Sequence, residues 1–499
     1  MLQSLIPYPM RYLDLAVILA YLIGITLFGA RFRHSQKSLK DYFLGGRNVP
    51  WWAIAFSIVS AETSTLTVIG TPGISFKGDL GFLQVVFGYL LARIVISILF
   101  LPHYFRGELF TAYEVMERRF GPPMRRLTAG CFLILRALAE GVRVFAISIV
   151  ISIVLGTGET ASILLIVCLT LFYTFEGGMT AVIWTDVVQM FLYVAGAVLS
   201  LFVILGKIDG GWPHVMAVAG EAGKWRILHF GFAPTQEFFA TTYTFWAGII
   251  GGCFLTTASH GTEQLMVQRL LAARSEKDSR AALLASWFVI FFQFSLFLVI
   301  GVILWVYYRD SGLATPPQLD RIYPQFIWDH LPTGVAGLVI AAVLAAAMSN
   351  LSAALNSLAS TSVMDFWKPL SGRVRTDAEW LATARRVTLA WGGILLAIAI
   401  AAQGIDSVLE AGLGIASVVY GSLLGVFLLG VLTTRVGPRA AMTGAVAGLL
   451  TMLWIRLGTP VAWTWYVLIG TTVTFGAGWL ASLVYKELAH SEAARSQGE

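Results

Sequence analysis

The sequence predicts an all-α, polytopic membrane protein with about thirteen transmembrane helices. Composition is the first reason, because 57% of the 499 residues are hydrophobic and only 12% are charged. Soluble domains average about 25% charged residues. The second reason is that apolar runs near the roughly 20-residue length that spans a bilayer recur along the whole chain. The third is that basic residues gather in every second connection between these runs.

The candidate spans follow one another without a soluble domain between them. They lie near 12–30, 50–72, 82–102, 127–156, 160–175, 180–206, 240–268, 281–307, 333–362, 387–403, 408–432, 439–457 and 463–485. Basic loops stay cytoplasmic, and the first basic connection, 31–47, follows the first span. We therefore expect a multi-pass protein of the plasma (inner) membrane with its N-terminus outside and its C-terminus in the cytoplasm.

Several function classes are disfavoured by the residues themselves. The net charge of +6 is spread over the connections as a topology signal, so no nucleic-acid partner is expected. Cys131, Cys168 and Cys253 lie in apolar stretches without metal-type spacing, which predicts no transition-metal site. Enzyme motifs such as His-Glu-x-x-His do not occur, and we expect no enzyme. The expected partners are the lipid bilayer and a small solute, with no obligate protein partner evident.

The second span carries chemistry that a lipid anchor does not need. The run from Ser57 to Gly73 places hydroxyl groups and the carboxylate of Glu62 in mid-span, followed by Gly70 and Pro72. Such residues favour a helix that breaks, and a broken helix frees backbone carbonyls that can hold a cation near the midplane. The alternative is a kinked packing helix in which Glu62 pairs with a basic neighbour.

A second polar stripe lies within residues 345–362. Ser349, Ser352 and Asn356 recur at helical spacing and therefore share one face of a helix. This face is either a set of oxygen ligands opposite the broken span or a row of small residues for close helix packing.

These residues resemble the sodium/solute symporter family, which includes proline permeases, sodium–glucose cotransporters and iodide transporters. The resemblance covers roughly residues 10–480. It is carried by Asp41-Tyr-Phe-Leu-Gly-Gly-Arg47, the broken span, the run Tyr173–Gln189, Gln264-Leu-Met-Val-Gln-Arg269 and Met348-Ser-Asn-Leu-Ser-Ala-Ala-Leu-Asn-Ser357. It implies a leucine-transporter-like core of 5+5 inverted repeats, about 50–207 and 240–432. A first helix at 12–30 and accessory helices at 439–485 would complete a transporter domain, 1–486, before a short cytoplasmic tail, 487–499.

The resemblance also implies a sodium site. Its ligands would be the carbonyls of Ser60, Thr63 and Ala346 and the side chains of Ser349 and Asn350. Asn350 departs from the family pattern, in which Ser or Thr stands at this position. Three further residues match positions associated with sodium in relatives: Glu62, Asp186 and Ser352.

The solute pocket implied by the resemblance lies beside the break. Matching positions are Thr67, Gln84, Thr256, Ser259 and His260. In the fourth span, Glu140 can reach Arg136 or Arg143 at helical spacing, and two cations against one anion leave one arginine available. Arg143, which lies deeper, would then bind a carboxylate bidentately. An internal ion pair and a hydrogen-bonded packing histidine are the alternatives for Arg143 and His260.

Together these observations predict a secondary active transporter. It would couple sodium to the symport of a small polar solute, anionic or zwitterionic, by alternating access, with the sodium ion as its only cofactor. A proton-coupled symporter of the same fold is the nearest alternative, given Glu62, His260 and Asn350. A transporter-like sensor or channel is a more distant one.

Overall fold

A computed structural model describes residues 11–31, 47–106, 112–173, 179–232, 235–367, 371 and 377–485. Within these ranges the chain is helical almost throughout, and β structure is limited to an isolated bridge between Val49 and Ala273. The all-α fold class is thus confirmed for this part of the chain. Residues 41–46 and 174–178 of the family motifs lie outside it, as does the tail 487–499.

The first half of the chain forms ten helices in the described ranges. They are α1 (Tyr12–Ala30), α2 (Trp51–Glu62), α3 (Thr65–Lys77), α4 (Leu83–Leu99), α5 (Leu101–Tyr104), α6 (Tyr113–Phe120), α7 (Pro122–Leu155), α8 (Glu159–Tyr173), α9 (Met179–Leu205) and α10 (Gly211–Glu221).

The second half forms ten more, together with short π-helical and 3-10 turns. They are α11 (Gln236–Ala240), a π turn (Ala247–Gly251), α12 (Gly252–Gly261), α13 (Gln264–Leu271), α14 (Glu276–Asp310), a 3-10 turn (Leu319–Arg321), α15 (Ile322–His330), α16 (Val335–Thr361), a π turn (Ser362–Trp367), α17 (Asp377–Ala401), α18 (Val408–Leu432), α19 (Pro438–Gly458), a 3-10 turn (Trp463–Trp465) and α20 (Tyr466–Tyr485).

Six helical segments in the described residues are long and apolar enough to cross a membrane. They are α7, residues 182–205 of α9, α14, α18, α19 and the segment 463–485 that contains α20. The pair α2 and α3 makes a seventh crossing, bent by 62° at the residues between them. The protein is therefore a multi-pass membrane protein.

Local residue chemistry sets where the long helices begin. Ser275 caps α14 by accepting the backbone N–H of Asp278, and Ser407 caps α18 in the same way. The helix α7 starts with Pro122 at its first position, where the missing N–H has no helical acceptor to lose. Gly121 before it has φ 82°, a left-handed conformation that favours glycine.

The predicted break in the second span is present, and it lies at Thr63 and Ser64. Thr63 has φ −87° and ψ 87°, and Ser64 has φ −86° and ψ 175°, so neither continues the helix. The expectation that Gly70 and Pro72 contribute to the break is wrong, because both lie inside α3. Gly70 instead allows close contact, since a Cβ there would lie 2.8 Å from Leu409 Cβ.

A second helix break was not expected from the sequence. The helix α12 ends at Gly261, and Glu263 is extended, with φ −84° and ψ 129°, before α13 begins at Gln264. Each break therefore has a carboxylate beside it, Glu62 at the first and Glu263 at the second.

The 3-10 turn between α14 and α15 packs on α3 and is hydrogen-bonded to the start of α18. Asp320 in this turn is buried, and its carboxylate accepts the backbone N–H of Val408 at 2.8 Å. Burial, with Glu410 and Asp406 nearby, raises the pKa of Asp320 to about 7, although the hydrogen bond from Val408 acts in the opposite direction.

Glycine also brings α14 directly against α3. A Cβ on Gly301 would overlap the carbonyl oxygen of Pro72 and the hydroxyl of Ser75. Because the obstructing carbonyl is backbone, the two helices can remain this close only while position 301 has no side chain.

We expect Gly301→Ala to destabilise the protein by about 1–3 kcal/mol, the usual range for overpacking. Gly393→Ala on α17 is a matched control, since a Cβ there meets nothing within 4 Å. Thermal unfolding in detergent should show a lower midpoint for Gly301→Ala and an unchanged or slightly higher midpoint for Gly393→Ala. Equal midpoints for the two variants would contradict the proposed contact.

Candidate ion and solute site

The first break leaves backbone carbonyls without helical partners. Thr63 N donates to Val59 O at 2.8 Å, and Ser64 N donates to Glu62 O at 3.2 Å. Within the described ranges no backbone N–H donates to the carbonyl of Ser60 or Thr63. Oxygen atoms of this kind, inside a bundle that excludes water, can coordinate a cation.

A small cavity lies against the break, between α3, α7 and α16. Its polar lining comes from Ser64, Thr65, Glu140, Arg143 and Asn350. Its volume of about 10 Å³ is near the minimum that holds a single water molecule. A water molecule or a small cation fits this space as it stands, whereas an organic solute requires the lining to move apart.

The predicted residues of α16 are placed only in part. Asn350, which the resemblance implies as a sodium ligand, lines the cavity. The side chains of Ala346, Ser349 and Ser352 lie outside the described part of the structure, although their backbone belongs to α16.

Glu62 is paired with a basic group that sequence reasoning missed. Its Oε2 lies 2.6 Å from Nη2 of Arg93, a fully buried residue of α4, and 3.3 Å from Nε2 of His260 on α12. Arg93 also donates to Ser286 Oγ and to the carbonyl of Tyr89. Glu62 thus pairs with a basic neighbour, as in the alternative stated for this residue, and Arg93 supplies the charge that balances the carboxylate.

Asp186 closes a second buried ion pair. Its Oδ2 accepts from Ser57 Oγ at 2.7 Å and from Nη2 of Arg269 at 2.9 Å. Arg269 also donates from Nε to Ser57 Oγ at 3.0 Å. These three residues join α2, α9 and α13. The contact lies on the α2 side of the first break.

The charges around Arg143 differ from the prediction. Arg143 Nη1 lies 3.1 Å from Glu140 Oε2, and Arg136 lies 3.6 Å from the same oxygen. Arg136 is also 2.6 Å from Glu263 Oε1, and Tyr420 donates to the other oxygen of Glu263. The count of two cations against one anion is therefore wrong, because Glu263 is the second anion.

The remaining predicted solute residues do not line the cavity. Thr67 and Thr256 are buried, and Ser259 Oγ lies 2.9 Å from Nδ1 of His260. The side-chain amide of Gln84 donates to the carbonyls of Gly81 and Tyr243 and accepts from the backbone of His229. Gln84 thus ties α4 to the loops around it.

Two missed residues carried a sequence signal. Arg93 is the single charged residue of the predicted span 82–102, and Glu263 is the single acidic residue of the span 240–268. An ionisable residue within a span marks a functional or paired position, so both could have been selected. Their partners could not, because those lie in distant segments.

We expect Arg93→Gln to destabilise the protein by about 3–5 kcal/mol, because it leaves the carboxylate of Glu62 buried without its cation. The double variant Glu62→Gln/Arg93→Gln should recover most of this loss. The apparent free energy of unfolding in detergent measures both effects.

Arg280→Gln is the matched control, because Arg280 pairs with Glu276 on an exposed face and such pairs contribute about 1 kcal/mol or less. If the double variant were as unstable as Arg93→Gln, the ion pair would not be the cause.

Comparison with known proteins adds four findings. A sequence model described as the sodium:solute symporter family matches residues 42–448. The sodium/sialic acid symporter NanT of Aliivibrio fischeri is 28% identical, over 96% of this chain and 95% of that protein. Sodium-coupled monocarboxylate transporter 2 of Bos taurus is 27% identical, over 92% of this chain and 75% of that protein. A solved substrate-bound, outward-open structure of a Na⁺-coupled sialic acid symporter matches with a TM-score of 0.82 at 27% identity, covering 95% of this chain and 98% of that chain.

The family match covers most of the chain, and the structural match covers nearly all of it. The coupling ion predicted from the sequence is thereby confirmed as sodium, and the broken helix with its free carbonyls is consistent with that ion. The chain is a sodium-coupled symporter, and it belongs to the sodium:solute symporter family.

Proposed function

We propose that the protein carries a small organic carboxylate, anionic or zwitterionic, across the plasma membrane together with sodium. The observation that carries this proposal is the guanidinium of Arg143 in the cavity at the first break, opposite Asn350. Guanidinium pairs with a carboxylate through two parallel hydrogen bonds. The names of two relatives support the same chemistry, because one carries sialic acid and the other carries monocarboxylates.

The proposed sodium site lies between the first break and α16. The free carbonyls of Ser60 and Thr63 would supply two ligands, and α16 would supply the others, from Ala346, Ser349 and Asn350. Sodium is a hard cation and prefers oxygen ligands, which all of these residues offer. The position of Asn350 on the cavity supports this arrangement.

Three residues would assist sodium without forming the core of the site. Ser352 lies one turn beyond Ser349 on α16. Glu62 and Asp186 are carboxylates that could attract the ion, but each lies in an ion pair with an arginine. We therefore assign both a role in the charge balance along the sodium path.

The solute would extend from Arg143 towards α3 and α12. Thr67, Thr256, Ser259 and His260 would contact it once the cavity widens. Gln84 can join them only by releasing the backbone groups that it now binds.

The architecture that we propose has thirteen spans. The two helix breaks, in the crossings α2–α3 and α12–α13, stand at the start of two sets of five crossings, which supports inverted repeats at about 50–207 and 240–432. The helix α1 would precede this core, and α19 and α20 would follow it, within a single domain, 1–486. The positive-inside rule places the N-terminus outside and the tail 487–499 in the cytoplasm.

Alternating access is the proposed mechanism. Sodium binding between α2 and α16 would stabilise the outward-open form, and the solute would follow. The Asp186–Arg269–Ser57 triangle would keep the cytoplasmic side closed until the bundle rocks. The motifs support transport rather than an enzymatic reaction.

Uptake into proteoliposomes tests the proposal. Sialic acid, lactate, proline and glucose are offered under an inward sodium gradient and, separately, under an inward proton gradient without sodium. We expect the sodium gradient to drive uptake of at least one carboxylate and not of glucose. Uptake driven equally by protons alone would favour proton coupling, and the absence of uptake would favour a sensor.

The sodium site has its own prediction. Ser349→Ala and Asn350→Ala each remove an oxygen ligand, so the sodium concentration for half-maximal uptake should rise on the order of tenfold. Asn350→Ser, which restores the hydroxyl that relatives carry, should keep that concentration near the wild-type value. Ser482→Ala on the exposed face of α20 is the control. Wild-type sodium dependence in both alanine variants would refute the site.

The role of Arg143 is tested by Arg143→Lys, which keeps the charge and loses the planar fork. The Michaelis constant for the transported carboxylate should rise at least about tenfold, as expected for a lost charge-assisted hydrogen bond. Arg280→Lys on the exposed face of α14 should change nothing. Intact uptake of every carboxylate in Arg143→Lys would make the arginine structural.

A further inference from the structure

The ion pairs around Arg143 form a connected and electrically neutral network. It contains two arginines, Arg136 and Arg143, and two glutamates, Glu140 and Glu263. Arg136 lies between both glutamates, 2.6 Å from Glu263 and 3.6 Å from Glu140, and Arg143 lies 3.1 Å from Glu140. The side chains of Arg136, Glu140 and Glu263 are at most 6% exposed, so water screens their charges little.

Only one end of this network reaches the cavity. Glu140 and Arg143 line it, whereas Arg136 and Glu263 lie behind them, towards the second break. Arg143 uses Nη1 to bind Glu140, and its Nε is buried without a hydrogen-bond partner within the described ranges. The guanidinium therefore binds Glu140 along one edge and keeps an unused N–H donor on another edge. That second edge can still bind a carboxylate.

The charge count determines what happens when a carboxylate arrives. The network is neutral before binding, so the solute brings one uncompensated negative charge into a poorly solvated space. Such a charge is strongly unfavourable unless a cation neutralises it. Asn350 lines the same cavity, and it belongs to the proposed sodium site, so the bound sodium is near enough to supply that cation.

The other carboxylates near the break do not determine the net charge of the cavity. Glu62 is neutralised by Arg93, and Asp186 by Arg269. Neither lines the cavity. Glu140 is the carboxylate that both lines the cavity and cancels the charge of the arginine assigned to the solute.

We propose that Glu140 makes solute binding depend on sodium, because it cancels the charge of Arg143 before either ligand binds. The inference rests on the proposed function, since it requires a carboxylate solute on Arg143. Without the charge of Glu140 the pocket would carry one net positive charge. The carboxylate alone would then neutralise it, and sodium would no longer be needed.

Equilibrium binding to the purified full chain tests this role. Radiolabelled sialic acid and lactate are titrated in sodium and in choline medium, and the ratio of the two dissociation constants gives the coupling factor. Coupling between two ligands is typically about 5- to 150-fold. In Glu140→Gln we expect the dissociation constant in choline to fall at least about tenfold and the coupling factor to approach one.

Three comparisons isolate the charge of Glu140. Glu140→Asp keeps the charge and should keep the wild-type coupling factor. Glu276→Gln removes a carboxylate from an exposed pair with Arg280 and should also leave it unchanged. In the wild type, the neutral amide of the bound acid should show a coupling factor at least about fivefold smaller than the acid, a result that needs no variant to fold.

Each outcome separates this inference from the proposed function. Sodium-dependent binding in a folded Glu140→Gln, or equal coupling for acid and amide, would overturn the role of Glu140 and leave the carboxylate site intact. Unchanged carboxylate binding in Arg143→Lys, or no binding of either acid to the wild type, would overturn the proposed function and this inference with it.

Discussion

An ionised group buried in a membrane-embedded bundle must find its counter-ion inside the protein, because leaving it unpaired costs several kcal/mol. This constraint organises the centre of the symporter. Glu62 at the first break is held by Arg93 on α4, and Glu263 at the second break is held by Arg136 on α7. Each pair links a broken crossing to a continuous helix. The breaks can therefore move only if their ion pairs move with them or exchange partners, which restricts the bundle to a few discrete arrangements.

The second half of the broken crossing, α3, is short, yet several contacts hold it in place. Gly301 allows α14 to lie directly against the backbone of α3. At the far end, Lys224 Nζ donates to the carbonyls of Phe76 and Gly78 at 2.6 and 2.8 Å and lies 4.7 Å from the ring of Trp305. These contacts supply hydrogen-bond donors to carbonyls that have no donor within the helix at its C-terminal end. The free N-terminal end of α3 is left at the cavity, where a partial positive charge favours an anion.

Local chemistry made much of this predictable. Hydrophobic runs predicted the helices, and the run from Ser57 to Gly73 predicted a break in the second span. The break lies at Thr63 and Ser64 rather than at Gly70 and Pro72. Helical spacing also indicated that Glu140 can reach Arg136 or Arg143, and both lie within 4 Å of it. The pairs Glu62–Arg93 and Arg136–Glu263 join residues that are far apart in the chain, and no spacing rule connects them. The close-packing role of Gly70 depends likewise on a helix that the sequence places more than three hundred residues later.

The stability of the turn that carries Asp320 depends on pH. Its carboxyl group docks on the first N–H of α18, and the pKa of that group is near 7 while it is buried there. An ordinary exposed aspartate has a pKa near 4, so the docked turn retains a proton that a released turn would lose between roughly pH 4 and pH 7. Acidification within this range stabilises the docked form, and alkalinisation towards neutrality removes that stabilisation. The carboxylates of Asp406 and Glu410 strengthen the effect by raising the same pKa. The contact of this turn with α18 therefore depends on the pH of the solution that it faces.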